Sequence, residues 1–64
     1  MITPTTHERS EWRRLAQDHY SRGLVGIGHR FMAAADWKAP LDVKTFDALQ
    51  AAYRAWLIGG RVPA

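Results

Sequence analysis

Apolar side chains recur at helical spacing in three stretches of the chain, and nowhere does a sustained two-residue alternation predict a strand. In the first stretch Trp12, Leu15, Ala16 and His19 share a face. Thr5 stands where an N-cap belongs, and Glu8 three residues on completes a capping box. Gly23 is a natural stop, because glycine accepts the left-handed conformation that ends many helices. In the second stretch Leu24, Ile27, Phe31, Ala34 and Ala35 repeat in the same way, with Gly28 at the edge of their face. Gly28 and Ala35 leave room for a neighbouring helix to come close. Trp37-Lys38-Ala39-Pro40 reads as a connector. Asp42 is the N-cap of a third helix, Leu41 and Phe46 form its hydrophobic staple, and Gly59-Gly60 ends it. The pattern predicts helices over 6–22, 24–36 and 42–58. Residues 1–4 are expected to form a flexible arm and 59–64 a tail. Short connections between three helices imply an all-α fold, a compact three-helix bundle whose first two helices form an αα-hairpin.

The third stretch is unusual in being apolar on two faces. At roughly 100° per residue, Phe46, Leu49, Tyr53, Trp56 and Leu57 form one wide stripe. Ala48, Ala51, Ala52 and Ala55 form another, nearly opposite. A helix apolar nearly all round is usually buried on more than one side. Here the second side is expected to rest on another molecule, a partner helix or a second copy in a homodimer. The bland alternative is that the alanines serve helix propensity alone.

Size sharpens this expectation. The 64 residues form one domain at most, and a domain so small is marginally stable. With 47% apolar residues and three Trp, the chain carries more large apolar surface than a tiny monomer easily covers. There is no Cys to supply a disulfide or a thiolate metal site. The longest apolar runs are too short to span a membrane, and no signal-like leader opens the chain. A cytoplasmic protein that does not enter the membrane is the expectation.

The net charge of +3 permits attraction to nucleic acid or to an acidic protein surface. Arg9 and Arg13 share a helix face near Gln17 and Tyr20, and neither arginine has an acid four residues on. That stripe is the candidate phosphate contact, with Tyr20 positioned to stack on a base. A helix-turn-helix centred on Gly23 fits poorly, because its second helix opens with Gly26 and Gly28 rather than base-reading side chains. Other acids and bases are interleaved: Glu11–Arg14, Arg14–Asp18 and Asp18–Arg22 have ion-pair spacing.

No constellation points to catalysis. His7 and Glu11 have the spacing of two ligands on one helix face, but a metal site usually wants a third. Gly23-Leu24-Val25-Gly26-Ile27-Gly28 has the wrong order and setting for a phosphate loop, and neither Ser10 nor Ser21 has a nucleophile elbow around it. No cofactor or metal is therefore expected. His19, inside an apolar stripe, reads as a buried histidine bonded to a backbone carbonyl, with a pH-sensitive contact as the alternative. Trp37 lies off the stripes. It reads first as packing over the third helix, and otherwise as an exposed contact anchor.

The phrases Glu11-Trp12-Arg13-Arg14-Leu15-Ala16, Gly28-His29-Arg30-Phe31-Met32-Ala33-Ala34-Ala35 and Tyr53-Arg54-Ala55-Trp56-Leu57 resemble small proteins from phages and prophages of high-GC proteobacteria. Together they cover most of the chain. The resemblance implies a protein that binds and disables a host component, anti-CRISPR proteins being one such class. Many of those are acidic DNA mimics, whereas this chain is basic. The resemblance carries no functional residue over.

These readings converge on a non-enzymatic protein-binding module, a phage-type inhibitor or regulator that occludes a host or defence protein. Arg9, Arg13, Tyr20 and Trp37 are the candidate partner contacts, and Ala48, Ala51, Ala52 and Ala55 the candidate packing or dimer face. The alternative is a small basic nucleic-acid-binding regulator.

Overall fold

The computed structural model describes residues 1–60 and Val62. It contains three α-helices: α1 (Thr6–Ser21), α2 (Val25–Asp36) and α3 (Val43–Gly59). Each lies within one residue of its predicted bounds, and the result is a three-helix bundle with no strand among the described residues.

The signals read from the sequence act where expected. The Thr5 hydroxyl accepts the Glu8 N–H at 3.1 Å, and the Glu8 carboxylate accepts the Thr5 N–H at 2.8 Å. Gly23 and Gly60 follow α1 and α3 with φ of 79° and 75°, conformations that cost a side-chain-bearing residue strain. The cap of α3 is weaker. Asp42 has the extended backbone of an N-cap but closes no capping hydrogen bond through its side chain. Nearby Thr45 nevertheless holds the exposed Asp42 carboxyl below its ordinary pKa.

Side-chain pairs fix the topology. Arg13 reaches Asp36, and Tyr20 lies on Gly28 and His29, so α1 and α2 are antiparallel. The Trp12 indole donates to Gln50 and the Trp56 indole to Asp18, so α1 and α3 run parallel. The core comprises Trp12, Leu15 and Ala16 of α1, Phe31 and Ala35 of α2, and Leu49 and Tyr53 of α3, closed by Val62. The α1–α2 contact is by far the most extensive, because small residues let the backbones approach. A Cβ on Gly28 would lie 2.7 Å from the Tyr20 ring.

Several positions depart from the sequence reading. Residues 1–4, expected as a loose arm, are anchored: Ile2 and Leu41 exchange two backbone hydrogen bonds of 2.7 Å, and Pro4 is buried. Leu24 caps α2 and is exposed rather than contributing to its apolar face. Leu57 was placed on the core stripe of α3 but is 58% exposed. The Asp18–Trp56 and Arg22–Gly60 contacts put the end of α1 level with this last turn, so no helix continues alongside to cover Leu57. Of the predicted tail after Gly60, only Val62 is described; Arg61, Pro63 and Ala64 lie outside the described residues.

His19 explains how Val62 is held. The imidazole is fully buried, as its place in the α1 stripe implied. Nδ1 lies 2.9 Å from the Leu15 carbonyl, and the Val62 N–H donates to Nε2 at 3.3 Å. These roles assign the proton to Nδ1 and leave Nε2 as the acceptor. The histidine is thus a structural clasp between α1 and the segment after α3.

Candidate functional site

The three helices do not close equally on one another. α1 packs on both partners, but α2 and α3 barely approach at the backbone. Between them lies an open groove of about 420 Å³, lined by Arg30, Phe31 and Ala34 of α2 and by Lys44, Thr45, Ala48, Leu49 and Ala52 of α3. Phe31 and Leu49 belong to the core, so the groove floor is the outer surface of the core itself. Half of the wall residues, Ala34, Ala48 and Ala52, are alanine. That composition follows from the second apolar face of α3: Ala48 and Ala52 line the groove, Ala51 is exposed, and Ala55 is half-buried. Two of the four alanines thus border the space beside α2.

Arg30 and Lys44 are the ionisable residues of the lining, and both are cations. Neither takes part in an ion pair among the described residues. Asp47 lies less than a turn beyond Lys44 but outside the lining.

The predicted basic stripe fares differently. Arg13 is committed within the fold: one guanidinium nitrogen lies 3.1 Å from the Asp36 carboxylate and donates to the Ala35 carbonyl at 3.4 Å. It covers the carboxyl end of α2, where orphan carbonyls and the helix dipole favour a cation. Spacing along α1 offers Arg13 no acid, because its partner comes from another helix. Arg9 is half-buried, and its Nε is enclosed without a hydrogen-bond partner among the described residues. Tyr20 is also engaged internally. Its hydroxyl lies 2.7 Å from His29 Nδ1, and its ring meets His29 edge-on with centroids 5.3 Å apart. Of the four candidate contact residues, Trp37 alone is classed as exposed, at 55%. It does not fold back over α3, the reading favoured from the sequence. α2 ends one residue before it, and Trp37 takes an extended backbone that leads away into the connector.

The charged face of α1 is sparser in ion pairs than its spacing implied. Asp18–Arg22 is formed at 3.1 Å, whereas Glu11–Arg14 and Arg14–Asp18 are not. Asp18 instead also serves α3 by accepting the Trp56 indole N–H at 2.8 Å. His7 Nε2 lies 3.9 Å from Glu11, and no group of three or more potential metal ligands occurs among the described residues. No described helix is long and apolar enough to cross a membrane.

Apolar surface also gathers at the two ends of the bundle. Leu24, Val25, Leu57 and Ile58 are exposed at the end where α1 and α3 finish, and Met1, Trp37 and Val43 toward the other. Scattered exposed apolar residues are ordinary. A recessed groove with an apolar floor is not, and it is the feature best shaped to receive another molecule. Comparison with protein families, curated proteins and solved structures returned no match.

Proposed function

We propose that this chain is a non-enzymatic protein-binding module that acts by occluding a working surface of its partner, in the manner of a phage-encoded inhibitor or regulator. The carrying observation is the groove between α2 and α3, where Ala34, Ala48 and Ala52 leave apolar surface accessible above the buried Phe31 and Leu49. Small wall residues let a partner backbone come close, and covering their accessible apolar surface favours association. The nucleic-acid alternative loses support because Arg13 and Tyr20 are engaged within the fold.

The test places a photo-crosslinking amino acid at Ala48, in the groove, and in a second variant at Gln17, on the exposed face of α1. The reading predicts that Ala48 captures a specific protein in cells while Gln17 does not. The reconstituted complex should then suppress that protein's activity. Retention of nucleic acid with an affinity that falls steeply with salt, and no specific protein at Ala48, would overturn it.

A further inference from the structure

We infer that the α2–α3 groove receives an amphipathic helix whose apolar stripe is flanked by Asp or Glu; this rests on the protein-binding reading above and specifies the partner's chemistry. Two properties of the groove carry the inference. The first is shape: α2 and α3 run in opposite directions, and Ala34 of one with Thr45, Ala48 and Ala52 of the other borders an open trough above the buried Phe31 and Leu49. An amphipathic helix presents such a trough with anchors at spacings of three and four residues. Ala34, Ala48 and Ala52 bring no bulk that would hold its backbone away.

The second is charge. Arg30 lines the groove from α2 and Lys44 from α3, and among the described residues no carboxylate lines it. The recorded ion pairs, His7–Glu11, Arg13–Asp36 and Asp18–Arg22, all lie elsewhere. An occupant of the groove therefore meets a cation from each helix and, among the described residues, no carboxylate of the lining beside them. Acidic flanks satisfy both cations, whereas basic flanks are repelled. The same argument disfavours a second copy, which carries a net charge of +3 like the first.

The experiment uses three synthetic helical peptides of ~14 residues, about 21 Å long. They share one Leu/Ala stripe and differ only in flanks of Glu, Gln or Lys. Binding to the full chain is followed by backbone amide shifts and fluorescence anisotropy at low and high salt. The Glu peptide should bind roughly tenfold tighter than the Lys peptide at low salt, the scale two solvent-exposed ion pairs supply. The difference should shrink with salt, and the shifts should centre on Arg30, Ala34, Lys44 and Ala48. The double variant Arg30→Glu/Lys44→Glu, changed only at exposed positions, should reverse the preference while keeping its helical spectrum.

Equal binding of the Glu and Lys peptides in the groove would overturn the acidic-partner inference and leave the protein-binding reading standing. Shifts centred outside the groove, no binding by any peptide, or a groove filled by self-association in sedimentation would also overturn it. The broader reading fails separately, through the absence of a specific Ala48 crosslink.

Discussion

The two sides of α2 are built from similar residues and end in opposite conditions. Toward α1 it presents Gly28 and Ala35, and the contact is closed, with Tyr20 lying flat on Gly28. Toward α3 it presents Ala34 beside Arg30, and the contact stays open. Small side chains permit close approach, but they do not compel it. On the closed side, Tyr20–His29 and Arg13–Asp36 fasten the flanks. On the open side Arg30 and Lys44 border the groove together with alanines, and no hydrogen bond or ion pair joins α2 to α3 among the described residues.

The largest expected effect lies in the core, on α1. Trp12 is fully buried and also donates to Gln50 at 3.2 Å, which in turn donates to Glu8 at 3.1 Å. Trp12→Ala should destabilise by about 3–5 kcal/mol, the cost of truncating a large buried aromatic. In a domain of this size that approaches the whole folding stability. Chemical denaturation followed by circular dichroism measures it. A loss below ~1 kcal/mol would mean that the α1 contact is not what holds the bundle together.

A matched pair sharpens the contrast. Gly28→Leu must drive the Tyr20 ring from its place and should cost roughly 1–3 kcal/mol by overpacking. Ala48→Leu adds similar bulk where there is room and should stay within about 0.5 kcal/mol of the parent. Equal costs, measured in one denaturation series, would erase the distinction between the two sides.

A smaller effect is expected from Tyr53, which lies on α3 against the core. Burial first, and then the neighbouring negative charge of Glu11, hold its phenol above the ordinary value of 10.0. The folded state therefore retains the proton more tightly than the unfolded chain. This contribution to stability is complete below the ordinary tyrosine pKa and is lost as pH rises through the raised value. Melting temperatures measured from about pH 9 to about pH 12 should fall more steeply for the parent than for Tyr53→Phe. Parallel curves would show that Tyr53 ionises equally easily in both states.

The helices and their caps were legible because their causes are local. Thr5–Glu8, Gly23 and Gly60 act through backbone geometry within a few residues. His19 was readable as well, since an α1 stripe residue buried beside Leu15 has that carbonyl within reach one turn back. Features that depend on distant partners were not. Arg13 appeared free because its acid, Asp36, is on another helix. The Ile2–Leu41 bridge joins positions that carry no hairpin signal. Leu57 has core periodicity, but periodicity cannot show where a neighbouring helix ends. The second apolar face of α3 was legible from spacing, but what lies beside it was not. Only the arrangement of α2 showed that Ala48 and Ala52, and not Ala51, border the space.

The openness of the groove is the central claim, and thiol reactivity tests it most directly because the chain has no cysteine of its own. Cysteine is introduced singly at Ala48, on the groove, and at Ala35, which is 1% exposed toward α1. Both variants are treated in the native state, at low and high protein concentration, with a chromogenic disulfide reagent. Ala48→Cys should react at nearly the rate of the unfolded chain, independently of protein concentration, while Ala35→Cys is protected and reacts only through unfolding. Protection of Ala48→Cys equal to that of Ala35→Cys would contradict the account, because α2 and α3 would then be closed on one another.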